Sequence, residues 1–444
     1  MAMPIRAGVL GLVLLSLLVP GLEGASDGPG KPPRGDRPRA GFLIRRASLV
    51  LTMDPTIGEG PLGQLAGADV LIVGDRIEAV GRGLRRSGVR VLDGRGLIVM
   101  PGFVDTHDHL WQTLIRGCAA DADLIGWLER CVFPLNAHPF SERDAYAGVR
   151  LGTTGLIATG VTTVVDWSHN FNPGFTAGNL RALNDSGLRY HFAQFGAELD
   201  GSDVRASKAR FVDPNPLGTM QVASHPSPPL AAHMRAMVGV AGALGVKLHV
   251  HLLENAAQRD EDAFRILEES GALDLGGALQ TAHTIHLTRE EIARLAAAGA
   301  TVSHQPLSNM RLASGIMPLP DLTEAGAPIG LGLDGGTNDT PDMFSNLRAA
   351  IGLQRAKTLD AGTRPTVSDV LRMATMGGAE LLGIDGEVGS LTPGKQADVV
   401  VIDPGTRNFS PLVQPINQIV FNGQPRNVRW VFVAGRALKQ DGRV

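Results

Sequence analysis

The amino-acid sequence predicts an α/β protein: a (β/α)8, TIM-like barrel that carries a small β-sandwich built from both ends of the chain. Three observations predict it. From about Leu97 onward, short apolar runs alternate with amphipathic stretches, the pattern of βαβ units and a parallel sheet. Eight such runs occur, which favours a closed barrel over an open doubly wound sheet. The two flanks lack this rhythm and read as short strands of alternating polarity.

The first residues stand apart from both patterns. Arg6 precedes an apolar run from Ala7 to Pro20, and Gly24, Ala25 and Ser26 are small. A run of that length is too short to span a bilayer and suits the core of an export signal. Residues 1–25 are therefore expected to be a signal peptide. Residues 26–40 are a linker too rich in Pro, Gly and charge to bury a core. The expected location is periplasmic or secreted; the alternative is a cytoplasmic protein with its start codon placed too early. No cysteine follows the apolar run, so no lipid anchor and no stable membrane attachment is expected.

Residues 41–96 and 388–444 are assigned to the β-sandwich. Phe42–Val80 holds two alternating stretches, and Ala397–Asp403 and Val428–Lys439 hold two more. Residues 97–387 are assigned to the barrel. Its expected strands are Leu97–Val104, Val161–Asp166, Arg189–Phe195, Thr219–Ser224, Val246–His251, Ala278–His283, Ala300–His304 and Ile329–Asp334. Helix starts are marked by Ser141 with Asp144, Thr288 with Glu291 and Thr366 with Asp369. In each pair the hydroxyl and the carboxylate three residues on can satisfy unpaired N–H groups of the first turn.

Composition excludes some classes. The formal net charge is −3 and no run of Lys or Arg occurs, so no nucleic-acid partner is expected. A small-molecule substrate fits better, and association with further copies of the chain is left open. Cys118 and Cys131 are the two cysteines. A stretch of loop and helix separates them, which predicts two unpaired thiols with no chemistry of their own.

Chemistry in such a barrel sits at the C-terminal ends of the strands. The first expected strand runs into Asp105-Thr106-His107-Asp108-His109, where two histidines two apart share one face. They can clasp one metal ion or stand in a loop facing solvent. The fifth ends in His249-Val250-His251, with Glu254 three residues on. His251 lies nearer the strand end, whereas His249 suits a core position; a carboxylate just past a metal-bound histidine can carry protons. The sixth ends in His283 and the eighth in Asp334, among glycines. A buried Asp is costly unless paired or metal-bound, although Asp334 also suits a helix N-cap. Three histidines and an Asp at separate strand ends suit zinc, and also Fe2+ or Mn2+. A metal so held acidifies water to near neutral pH.

At this point the residues resemble a known family. Pro101–Gly117, Gly160–Asp166, Leu248–Glu254, Ala282–Thr288, Val302–Gly315, Leu331–Phe344 and Gly389–Asp403 are similar, in order, to motifs of the amidohydrolase superfamily. The branch is that of cytosine deaminase, adenosylhomocysteine deaminase and the triazine chlorohydrolases, and the similarity covers nearly everything after Gly41. The resemblance implies that His107, His109, His251 and Asp334 hold a single divalent metal, zinc by first choice. It implies that His283 hydrogen-bonds the attacking water and that Glu254 shuttles a proton, with Asp334 sharing the catalytic role. Binuclear members carry a carboxylated Lys on the fourth strand, and the expected fourth strand here has none. The chain departs from that branch between Gly196 and Gly245, which is short and has little helical periodicity in Asp200–Pro216; the third helix is expected to be reduced.

Loop residues near the strand ends would choose the substrate: Trp111, Gln112, His169, Gln194 and His304, with Arg116, Asn170, Asn309 and Asn338 as further candidates. Gln112 can pair with an amide-like ring edge and Trp111 can stack on a flat ring or pack its own loop. Arg116 and Asn309 suit structural roles. The expected reaction is deamination, or dechlorination, of an amino-substituted heterocycle. Hydrolysis of an amide, imide or carbamate is the alternative. An exported ligand-binding barrel without turnover is the reading from another class, and intact Glu254 and His283 argue against it.

Overall fold

The computed structural model describes residues 41–338 and 340–444. The expected export signal and linker lie outside the described residues. In chain order the strands are β1 (Gly41–Leu51), β2 (Gln64–Val73), β3 (Arg76–Gly81), β4 (Arg90–Asp93), β5 (Ile98–Pro101), β6 (Phe103–Asp108), β7 (Val161–Ser168) and β8 (Arg189–Gln194). They continue with β9 (Gly218–Ser224), β10 (Lys247–Leu252), β11 (Leu279–His283), β12 (Thr301–His304), β13 (Ile329–Leu331), β14 (Val399–Ile402), β15 (Val428–Val433) and β16 (Arg436–Lys439).

Strands β6 to β13 form one parallel sheet in sequence order. The ring comes together where the Asp334 amide, just past β13, donates to His107 O of β6 at 2.9 Å. Helices cover its outer face, and all three expected capping boxes are present, at Ser141, Thr288 and Thr366. Between β8 and β9 the helix is short, Ser202–Ser207 running into a π-helical turn at Lys208–Val212.

The strands from the two ends of the chain form a second, mixed sheet in the order β16-β15-β14-β5-β1-β2-β3, with β4 also paired to β1. Alternate residues such as Ile44, Val70, Val99, Val399, Val401 and Phe432 bury into one shared core. The barrel is tied to this sheet by Arg189, whose guanidinium reaches Gln396 Oε1 at 2.6 Å and Asp398 Oδ1 at 3.4 Å.

Two strand expectations change. Leu97–Val104 is not one strand. Ile98–Pro101 pairs with β1 and β14 in the mixed sheet, and the barrel strand begins at Phe103. The chain crosses between sheets at Gly102, where a Cβ would lie 2.1 Å from the Thr162 side chain. The last strand ends at Leu331 rather than Asp334.

The two thiols are not free. Cys118 and Cys131 form a disulfide with Cα atoms 6.2 Å apart. The left-handed residues Gly117 (φ 77°) and Ala119 (φ 49°) turn the chain, and the short helices Leu124–Trp127 and Leu128–Val132 carry it back. A separation of 13 residues therefore closes on itself.

Candidate metal centre and active site

At the C-terminal mouth of the barrel the strand-end residues converge. His107 Nε2 and His109 Nε2 each lie 3.2 Å from Asp334 Oδ1. His109 Nε2 also lies 3.2 Å from His251 Nε2. His107, His251, His283 and Asp334 each offer a ligand atom, all within 4.8 Å of one another. Every one of these residues is buried.

Local backbone explains how they meet. His107 lies on β6 and His109 just past its end, and His251 and His283 lie at the ends of the neighbouring strands β10 and β11. His283 (φ 70°) and Asp334 (φ 65°) are both in the left-handed region. Such residues cost about 1–3 kcal/mol each and persist where the surroundings over-determine them, characteristically at active sites. Gly335 (φ 70°) follows Asp334 because a Cβ there would sit 2.8 Å from His109 O. Two buried carboxylates pin the same loops. Asp105 Oδ1 accepts from the Leu333 amide at 3.0 Å, and Asp166 Oδ1 accepts from the Leu110 amide at 3.0 Å. Burial lifts the Asp166 carboxyl to about 7.

The outer nitrogens of the rings are held in turn. His109 Nδ1 lies 2.6 Å from Trp167 O, His107 Nδ1 lies 3.1 Å from His249 Nε2, and His283 Nδ1 lies 2.8 Å from the Asn309 amide. A carbonyl only accepts, so His109 Nδ1 carries a proton and Nε2 is the ligating nitrogen. Nε2 then faces His251 Nε2 and the Asp334 carboxylate across a few ångströms, and the buried Nε2 atoms of His107 and His283 have no hydrogen-bond partner. Lone pairs crowded about one point call for a cation there. Burial pushes His109 down, but Asp334 outweighs it and draws a proton to the ring; these residues would hold a divalent ion in place of that proton, with the other ligand atoms satisfied as well. Burial drives His251 well below the usual imidazole range and His283 down to about 3, so both are neutral and ready to ligate. Burial alone would raise the Asp334 carboxyl, but the surrounding histidines outweigh it and hold it ionised. Ser308 Oγ donates to its other oxygen at 2.5 Å. The donor set fits a metal.

Glu254 stands beside this cluster, with Oε2 3.5 Å from His283 Nε2. Burial, then the charge of Asp334, pushes its carboxyl well up, so it holds a proton that an ordinary glutamate would lose. Above the cluster opens a cavity of about 360 Å³. His109, His251, His283, Asp334 and Glu254 form its floor, and Leu124, Trp127, Leu128, Val132, Phe133, Phe171 and Phe195 supply much of its wall. No lysine or arginine is among the described residues that line it.

The expected substrate residues divide. Gln112 and His169 line the cavity, with Gln112 Oε1 accepting from the Gly336 amide at 3.1 Å. Trp111 does not line it. The 3-10 turn Leu110–Ile115 rotates the ring into the barrel wall, where it meets Phe171 and Phe175 edge-on and donates to His169 Nδ1 at 3.2 Å. Gln194 is held away by Asp203, to which it donates at 2.7 Å, and lines a separate depression together with Asn170. His304 is buried and does not line the cavity; its neighbour Ser303 faces Thr106, and Gln305 accepts from the His283 amide, so the alternation of β12 turns His304 away.

Two residues of the site were not foreseen, His225 and Trp127, and Asn309 does more than expected. His225 lines the cavity and stacks on His251 with ring centroids 4.7 Å apart. It follows β9, so the rule used for the other strand ends would have found it. Asn309 holds His283 rather than only a turn, and Trp127 lines the cavity from a loop.

Parallel barrel, five-residue donor cluster and buried proton carrier together define a metal-dependent hydrolase. The chain belongs to the amidohydrolase family, whose profile matches residues 98–438. It is 33% identical to a 5-methylthioadenosine/S-adenosylhomocysteine deaminase of Syntrophobacter fumaroxidans, over 91% of this chain and 94% of the relative. Among solved structures it is similar to a zinc-bound adenosine deaminase from Xanthomonas campestris, with TM-score 0.81 and 27% identity over 91% of this chain and 94% of that one. It is also similar to a zinc complex of atrazine chlorohydrolase from Arthrobacter aurescens, with TM-score 0.79 and 26% identity over 90% and 96%.

Proposed function

We propose that this protein is a metal-dependent deaminase that hydrolyses the exocyclic C–N bond of an uncharged, amino-substituted heterocycle. One observation carries the reading: a protonated Glu254 stands 3.5 Å from a neutral His283, beside a metal-binding cluster, on the floor of a largely apolar cavity. The relatives named above act on amino-purines, or on a chlorinated triazine, which supports the substrate class.

When bound, the metal supplies a water acidified to near neutral pH. His107, His109, His251 and Asp334 would hold it, with one zinc ion per chain the proposed content. The remaining work falls to side chains. The cavity takes the flat ring between Phe195 and the opposite wall, with the amino-bearing carbon toward the floor. The water oxygen forms a bond to that carbon. His283 and Asp334 take up the proton the water loses, and Glu254 gives a proton to the ring nitrogen or the departing amine. The C–N bond breaks with its electron pair on nitrogen, and ammonia leaves. Gln112 and His169 are proposed to orient the ring edge. Its described lining residues include no lysine or arginine, so the cavity offers no such cation to a phosphate or carboxylate.

A screen of amino- and chloro-heterocycles with ammonia and chloride detection, run beside N-acyl and carbamate compounds, tests the reading. Ammonia release from an aminopurine or pterin is expected. Turnover confined to N-acyl or carbamate substrates would overturn it.

The export reading is supported by the Cys118–Cys131 disulfide, because disulfides persist chiefly in oxidising compartments. Mass spectrometry of the protein from its native source should find an amino terminus near residue 25; an intact cytoplasmic chain would refute export.

A further inference from the structure

We infer that Ser308 is a positioning residue for the metal centre: its hydroxyl holds one oxygen of Asp334, so that Asp334 offers the metal its other oxygen alone. The inference rests on the metal-binding half of the proposed function and not on the choice of substrate.

The two oxygens of Asp334 have different surroundings. Oδ1 lies 3.2 Å from His107 Nε2 and 3.2 Å from His109 Nε2, inside the ligand cluster. Oδ2 accepts from Ser308 Oγ at 2.5 Å. An ionised carboxylate only accepts, so the Ser308 proton lies toward Asp334. Ser308 Oγ is also 2.8 Å from Thr337 Oγ1. With its own proton committed, Ser308 accepts there and Thr337 donates. The Thr337 proton is shared with Asp334 O, 3.1 Å away. The two hydroxyls thus form a chain that ends on Oδ2, and each bond in such a chain polarises the next. Ser308, Thr337 and Asp334 are all buried, so water does not compete for these bonds. A carboxylate can meet a divalent ion through one oxygen or both. A hydrogen-bond donor fixed on Oδ2 decides for one.

Ser308 does nothing for its own helix. It is the third residue of Pro306–Arg311, a helix whose first turn has no side-chain cap. A serine hydroxyl inside a helix often turns back to a carbonyl of the preceding turn; this one reaches across to the loop after β13 instead. The same stretch of chain grips the next strand end as well. Gln305 Oε1 accepts from the His283 amide at 2.9 Å, and the Asn309 amide lies 2.8 Å from His283 Nδ1. One turn therefore holds His283 and Asp334, which stand after different strands, in a fixed relation. Under the proposed function these are the two groups that take up the proton of the water.

Two measurements test the inference. In a crystal structure of the zinc-loaded wild type, Asp334 Oδ2 should keep its bond to Ser308 while Oδ1 alone meets the ion. Both oxygens on the ion would overturn the inference, and this arm needs no variant to fold. The second arm is Ser308→Ala. Its zinc affinity, from competition with a chromophoric chelator, is expected to fall ~10–100-fold, the usual worth of a partner behind a metal ligand. The visible absorption of its Co2+ form should differ from that of the wild type, because freeing Oδ2 changes the ligand set. A merely structural serine would lower the unfolding temperature of the metal-free protein and leave zinc affinity and Co2+ absorption at wild type; that result would overturn the inference. Wild type that takes up no divalent ion would remove the metal-binding reading and the inference with it. Metal uptake without ammonia release from an aminopurine would remove the deaminase reading alone, and the two measurements would still decide the role of Ser308.

Discussion

The floor of the cavity and its outer wall line one space, yet they are built differently. At and beneath the floor, His107, His251 and His283 stand on barrel strands and His109 just past the end of one, all buried, and three of the four rings have their outer nitrogen held by His249, Trp167 O or Asn309. On the wall, Leu124 and Trp127 stand on a four-residue turn inside the loop closed by one cystine, and Phe133 follows just past that loop. The strands fix ligand geometry to the accuracy that catalysis needs, while a loop can change its lining without disturbing them. Under the proposed function, reaction type belongs to the floor, and the wall shares in substrate choice.

The largest effect expected to break this division is at the metal. Wild-type protein purified without chelator should carry about one zinc per chain by elemental analysis. His251→Ala should lose both metal and activity, yet leave Trp127 emission as it was. A shift in that emission would show that floor and wall are not separate. Two tightly held ions per chain would make His283 a ligand and revise the proposed mononuclear site.

Next comes Glu254→Gln, which keeps shape and removes the titrating proton. The expected loss in kcat is ~10²–10⁴-fold with metal retained. A wild-type rate would remove Glu254 from the proton path, and loss of metal would make it a ligand.

Asn309→Ala should be milder. It frees His283 Nδ1, now 2.8 Å from the amide, and such outer-shell partners are typically worth ~10–100-fold. The loss should appear in kcat with KM unchanged. A change in KM alone would move Asn309 from the floor to substrate binding.

The smallest effect is expected on the wall itself. Phe133 is half-exposed, so Phe133→Ala should raise KM by roughly 3–10-fold and leave kcat within about twofold. Steady-state kinetics decide it; a fall in kcat without a change in KM would place this side chain in the reaction rather than in capture.

Much of the floor was legible because strands alternate. His107 on β6 and His109 two residues on, and His251, His283 and Asp334 at or just past the ends of their strands, follow from period-two geometry and the barrel rule. The same rule applies to His225, which follows β9 and was not singled out. The sequence pattern merged β5 with β6, since an apolar run does not show which of two sheets it joins; Gly102, packed against Thr162, is where they part.

The sequence by itself determined the barrel, a second β unit built from both ends, the helix caps and the residue types of the metal cluster. All of these follow from short-range pattern: alternation, capping spacing, and polar residues where apolar runs stop. Tertiary structure alone decided that Cys118 meets Cys131, that Trp127 rather than Trp111 lines the cavity, that Gln194 turns to Asp203, and that Asn309 holds His283. The physical reason is common to the four. Each depends on the path of a loop or short turn between elements, and that path is set by long-range packing, which local residue spacing does not encode.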